Sequence, residues 1–163
     1  MSHHDQAPVL TFEHLKDPVN FLAFGLGSGL ARKAPGTWGT LMGVAVYLPL
    51  QMLGLVPYLF VIVAAFIAGI YICDHASRQL GVHDHGGIVW DEFVGFWITM
   101  IAAPEGWSWL VLGFILFRLF DIWKPWPISW ADRQVEGGMG IMLDDVLAGV
   151  WALVCLQVIA YFV

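Results

Sequence analysis

Apolar residues gather along the chain into five stretches, at 40–55, 57–73, 93–103, 107–120 and 146–163, with Pro49 inside the first. Turn-rich, charged segments separate them. Each stretch predicts a helix, and a membrane-spanning helix needs about 20 apolar residues. The third and fourth are short by that measure. They cross only if their helices extend into the charged segments beside them, which would set Asp91, Glu92, Arg118 and Asp121 at the membrane boundary. A tilted or re-entrant hairpin is the alternative. The pattern predicts an all-α, polytopic membrane helical bundle of about four to five transmembrane helices. Ahead of it, residues 1–20 carry Val9, Leu10, Phe12, Leu15 and Val19 among polar residues. That spacing suits an amphipathic segment lying on the membrane surface. Residues 21–163 are then a single membrane domain.

Composition agrees. The chain has 163 residues, 59% of them hydrophobic and only 12% charged. A soluble domain averages about 45–50% apolar and about 25% charged, so water cannot cover this surface and lipid must. Nine Trp fit a membrane–water boundary. The net charge of −6 excludes a nucleic-acid partner, which requires a basic face. Cys73 and Cys155 lie in apolar runs and read as small buried hydrophobes, without a CxxC or Cys/His cluster. The first twenty residues lack the apolar core of a signal peptide, so the apolar stretches are expected to target the chain themselves.

Charge then gives the pattern a direction. Lys16, Arg32 and Lys33 precede the first stretch, Arg78 follows the second, and Arg118, Lys124 and Arg133 surround the end of the fourth. In a five-span arrangement all seven fall on one side, which the positive-inside rule makes cytoplasmic. Glu105 alone of the acidic residues falls opposite.

Three segments collect on that face. The run from Gly25 to Thr40, GLGSGLARKAPGTWGT, offers backbone N–H groups, hydroxyls and positive charge to a phosphate. It is not a Walker motif, and a turn-rich entry loop explains the pattern as well. The run from His83 to Gly95 places Asp91 and Glu92 at a helix start, where carboxylates also serve as caps. His83 and His85 there are metal-ligand candidates or ordinary loop residues. The run from Phe117 to Gly149 sets Arg118 and Asp121 on one helix face, ends that helix at Pro125 and Pro127, and opens the last helix with Asp144 and Asp145. Carboxylates from three helices repel unless a cation intervenes, and hard oxygen ligands suit Mg2+. Arg118 and Lys124 are natural phosphate clamps. The residues therefore predict a Mg2+-dependent site for a phosphorylated, lipidic substrate.

The runs PGTWGT (Pro35 to Thr40), VWDE (Val89 to Glu92), Phe117-Arg118 through DIWKPWP (Asp121 to Pro127) and GGMGIMLDD (Gly137 to Asp145), in this order, resemble the bacterial phosphatidylglycerophosphatase A family. The resemblance covers most of the chain, from Phe21 to Gly149. It implies an inner-membrane, multi-pass enzyme that uses Mg2+ to hydrolyse phosphatidylglycerophosphate to phosphatidylglycerol and inorganic phosphate at the cytoplasmic face. It points to Asp91, Glu92, Asp121, Lys124, Asp144 and Asp145 as the acidic and basic core, with Arg118, Ser28 and Thr37 nearby. Within that set we expect Asp91, Glu92, Asp121 and Asp144 to hold the metal, Ser28, Thr37, Arg118 and Lys124 to bind substrate, and Asp145, or Asp84 from the loop before Asp91, to act as the base. Two departures stand outside that core: Glu136 replaces a His found in some relatives, and Arg32 and Lys33 occupy a stretch that varies.

Other phosphatase chemistries lack their residues here. No Cys is followed by Arg with five residues between them, there is no DxDx(T/V) motif, and the paired Arg/His motifs of metal-free lipid phosphatases are missing. A divalent-cation transporter or channel subunit is the alternative from another class. It requires acidic residues spread through the membrane depth, whereas the first, second and fifth stretches carry none between their ends. A CDP-alcohol phosphotransferase also uses Mg2+ on aspartates, but its DGxxAR signature is absent.

Overall fold

Glycines and prolines divide the chain into helices where the apolar pattern leads one to expect them. The computed structural model describes residues 7–163, and every regular element among them is helical. A 3-10 turn (Phe12–Lys16) leads into α1 (Pro18–Ala23), and a second 3-10 segment (Gly25–Leu30) leads into α2 (Pro35–Leu50). Then follow α3 (Leu55–Leu80), α4 (Trp90–Thr99), α5 (Trp107–Trp123), α6 (Ile128–Gln134) and α7 (Gly137–Phe162).

Helices α3 and α7 are long and apolar enough to cross a membrane. At 26 residues each they measure ~39 Å, against a hydrocarbon core of ~30 Å. Their outward faces are apolar: Val56, Phe60, Val63, Ile67 and Tyr71 are exposed on α3, and Val150, Val154, Val158 and Tyr161 on α7. Helix α5 shows the same stripe in Val111, Ile115, Leu119 and Ile122. These residues recur every three or four positions, so each helix turns one continuous apolar face outward. In the interior the protein buries Asp91, Glu92, Asp144 and Asp145 instead. Apolar outside and charged inside is the distribution of a chain solvated by lipid.

The third apolar stretch is the centre of the bundle. Helix α4 has ten residues, ~15 Å, and every residue from Asp91 to Thr99 is buried. It packs most extensively on α7 and also on α2, α3 and α5. Its apolar run is continuous because neighbours cover all sides. Side-chain donors answer carbonyls at its C-terminal end and in the turn beyond it: the buried Tyr58 hydroxyl donates to the Trp97 carbonyl at 2.6 Å, and Gln157 donates to those of Ile101 and Ala102. Orphan carbonyls at a helix end inside an apolar medium need such partners.

Close crossings set the helices in register. A Cβ at Gly149 would overlap the Gly95 carbonyl oxygen, and one at Gly138 would overlap that of Ile70. Small residues at crossings let membrane helices approach backbone to backbone.

The N-terminal segment differs from the single surface helix expected over 1–20. Residues 1–6 of that expectation lie outside the described residues. Asp17-Pro18 divides the rest, because Pro suits the first helical position and Asp caps it, accepting from Val19 N at 2.8 Å. The other Asp17 oxygen lies 2.9 Å from both His75 Nε2 and Gln79 Nε2, which moors the segment to the end of α3. Val9 and Phe12 remain exposed.

Candidate active site

One end of the bundle gathers the chemistry. The starts of α2, α4 and α7 meet there with the ends of α3 and α5. Gly36 of α2 packs on Glu92 and Arg118, Lys124 after α5 reaches Asp144, and Asp74 of α3 accepts from Gly138 N of α7.

Asp91, Asp144 and Asp145 form the deepest group. Each offers a carboxylate oxygen within 4.8 Å of the others', and all three residues are buried. Asp91 accepts from Glu92 N and Asp144 from Asp145 N, which uses one oxygen of each. Asp145 Oδ2 is buried without any hydrogen-bond partner. A buried carboxylate oxygen left unpaired is costly, and a cation among the three carboxylates would satisfy it. The donors are hard oxygens only, so the site suits a hard cation.

Beside this group Arg118 ties two more acids together. Its Nη1 donates to Glu92 at 2.7 Å and to Asp121 on the same helix face. The buried Thr40 hydroxyl contacts both Glu92 and the Gly36 carbonyl. Gly36 leaves room for the Glu92–Arg118 pair, since a Cβ would press on the Glu92 Oε1 and stand 3.2 Å from both terminal guanidinium nitrogens. The PGT run thus lets the α2 backbone close over this ion pair.

Lys124 is the second cation. It adopts the left-handed conformation (φ 48°) that ends α5, and it lies 2.7 Å from both Asp144 and Asp132. Burial alone would lower its ammonium pKa, but Asp144 and Asp132 outweigh that and hold it above its ordinary value. Asp84, Asp132 and Asp144 form a second, more open carboxylate group. Asp84 keeps solvent exposure, yet desolvation raises its carboxyl, with Asp132 and Asp121 adding to the rise and Lys124 opposing it.

The residues singled out in the sequence therefore divide. Asp91, Asp144 and Asp145 converge, Glu92 and Asp121 flank them on Arg118, and Asp84 joins the outer group through Asp132. Ser28 stands apart, donating to the Gly25 carbonyl within its own 3-10 segment, and Thr37 is half-buried in the first turn of α2. His83 and His85 belong to neither carboxylate group. His83 accepts from Gly137 N at 2.9 Å, and His85 Nε2 lies 2.7 Å from the Pro8 carbonyl. Sequence reading missed Asp132, and it placed Thr40 only within the Gly-rich run that offers hydroxyls to a phosphate, without its contact to Glu92. Asp132 had one signal, a carboxylate shortly after the helix-breaking KPWP turn.

Fold and site together define an all-helical, membrane-type protein that buries a carboxylate centre suited to a metal ion, with two cations beside it. The model of the phosphatidylglycerophosphatase A family matches residues 21–160. A phosphatidylglycerophosphatase A of Escherichia coli is 47% identical over 137 residues, covering 83% of this chain and 80% of that protein. One from Haemophilus influenzae is 46% identical over 150 residues, covering 91% and 92%. The chain belongs to the phosphatidylglycerophosphatase A family. No solved structure matches it.

Proposed function

We propose that this chain hydrolyses the terminal phosphate monoester of phosphatidylglycerophosphate, releasing inorganic phosphate and leaving phosphatidylglycerol, with Mg2+ at Asp91, Asp144 and Asp145. The observation that carries this reading is the convergence of three buried carboxylates, one with an unpartnered oxygen, between two cations. The names of the relatives supply the substrate.

When bound, Mg2+ would neutralise phosphate oxygens and polarise the ester. The chain's own groups do the rest. Arg118 presents its guanidinium to the phosphate, held in orientation by Glu92 and Asp121, whose sequence-based assignment to the metal gives way to this role. Lys124, fully charged between Asp144 and Asp132, is the second phosphate contact. Asp84 takes the proton of the attacking water, since its raised carboxyl and solvent access suit a base. Asp145, the other candidate base, goes to the metal instead.

The same reading places the protein in the inner membrane with five passes. Helix α4 is then a half-length helix inside the bundle. The end rich in Lys and Arg faces the cytoplasm. The acyl chains stay in lipid while the headgroup reaches the carboxylates. A divalent-cation transporter or channel subunit is less well supported, because the buried acids among the described residues gather toward one end of the bundle, in the first turn of α4 and the third turn of α7.

Purified protein in detergent micelles with phosphatidylglycerophosphate and Mg2+ should release inorganic phosphate, and chelation should stop it. Divalent-ion flux in liposomes without phosphate release would overturn the reading in favour of transport.

A further inference from the structure

We propose that Arg32, assisted by Lys33, binds the phosphodiester of the substrate lipid in a cavity beneath the N-terminal segment, residues 7–23, which straps over this end of the bundle. The proposal rests on the phosphatase reading above. The substrate carries two phosphates, one glycerol unit apart. The carboxylate centre with Arg118 and Lys124 accounts for the monoester that is cleaved. Nothing in that centre accounts for the diester that remains.

The cavity measures about 740 Å3 and lies between the strap, the turn after the Gly25–Leu30 segment, and the loop before α4. Leu10, Phe12, Leu30 and Pro35 make its walls largely apolar, and Arg32 brings the permanent positive charge. His85, also on the wall, has its Nε2 against the Pro8 carbonyl. Arg32 and Lys33 are exposed and make no ion pair among the described residues, unlike Lys16, Arg78, Arg118 and Lys124. A cation without a carboxylate partner, beside a cavity in an acidic protein, is free to take an anion.

The cavity also adjoins the reaction centre. Pro35 lines it, and the next residue, Gly36, packs against Glu92 and the Arg118 guanidinium. On the other wall Gly86 and Gly87 lie in the loop between Asp84 and Asp91. Gly36 lies four positions after Arg32, at most about 14 Å of extended backbone, and the Arg side chain shortens the gap further. A headgroup with its monoester at Arg118 therefore has its glycerol stem beside Pro35 and its diester within reach of Arg32. The apolar walls then accept the start of the acyl region. Arg32 is a positioning and specificity residue, because it never meets the reacting phosphate.

The test is the Arg32→Gln/Lys33→Gln double variant of the full chain in micelles at saturating Mg2+. It compares kcat and KM for phosphatidylglycerophosphate with the inhibition constant of phosphatidate, whose only phosphate is a monoester. KM should rise about tenfold, the scale of one charge-assisted contact. Both kcat and the phosphatidate constant should stay within about twofold, and Arg32→Lys should recover most of the loss. An unchanged KM, or an equal weakening for both lipids, overturns the proposal. A matched thermal melting curve shows that the variant is folded. If the wild type releases no phosphate at all, the phosphatase reading itself has failed, whereas an active wild type with an indistinguishable variant sinks this proposal alone.

Discussion

Asp145 holds one carboxylate oxygen in the protein interior with no hydrogen-bond partner, within 4.8 Å of the Asp91 and Asp144 carboxylates. Without a cation this arrangement is repulsive, and with one it is bonded. The two states give opposite signs for a single substitution. In chelated protein, Asp145→Asn should raise the melting temperature by a few degrees, about 2–4 °C per kcal/mol of relieved repulsion. Mg2+ should stabilise the wild type by mass action but leave the variant nearly unmoved. Differential scanning fluorimetry with and without metal reads both effects, and a variant that loses stability without metal would show that the site is built to stand empty. Asp91 and Glu92 were legible in the sequence because an acid pair opens α4. Asp144 and Asp145 were legible as a pair, but they do not open the last helix as expected: α7 starts at Gly137 and sets them in its third turn. The division of labour among these acids was not legible. Asp121 meets Arg118 through the i,i+3 spacing of α5, but Glu92 reaches it because α5 passes beside the α4 start, a tertiary fact that no spacing within either helix encodes.

At the level of the element, α4 shows what an apolar run leaves open. Nine consecutive residues buried on every side and a short span facing lipid produce the same sequence. The outward stripes on α3, α5 and α7 separate the two cases, since those helices, unlike α4, alternate exposed and packed positions. The crossing of α3 and α7 depends on Gly138, where a Cβ would strike the Ile70 carbonyl oxygen. Gly138→Ala should therefore destabilise the fold by about 1–3 kcal/mol through overpacking, despite the better helix propensity of Ala. A rise in thermal stability would contradict that close approach.

The strap has a different control. His75 first, then Val19 N and Gln79, hold the Asp17 carboxyl down at about 2 from an ordinary 3.8. A depressed carboxyl favours docking above its undocked pKa and loses that favour as pH falls through its docked one. Amides of residues 12–23 should thus stay protected from hydrogen exchange down to about pH 4 and lose protection toward pH 2. Asp17→Asn should be less protected and lack this acid step. A wild-type step centred near pH 6 would assign the mooring to another group.

For the whole molecule, the gathering of basic residues was more legible than packing. Counting Lys and Arg between apolar stretches placed every basic residue at one end, and the bundle brings those segments together there. What the count lacked was the N-terminal strap, which Asp17 moors to α3 from far along the chain. If the bundle lies in the membrane as proposed, Arg133→Cys should react with an impermeant thiol reagent only from the cytoplasmic side. Glu105→Cys should react only from the other. Labelling of both from one side would require a re-entrant α4–α5 hairpin.

The central claim is that the three-aspartate group, through a bound metal, hydrolyses a lipid phosphate monoester. Its most direct test is phosphate release from phosphatidylglycerophosphate across a Mg2+ titration, for the wild type and for Asp144→Asn. The wild type should show saturable Mg2+ dependence falling to background in chelator, and the variant should lose about 10²-fold or more, the scale of removing a group that stabilises transition-state charge. Release at the wild-type rate without metal, or a variant that keeps both rate and metal dependence, would contradict the account.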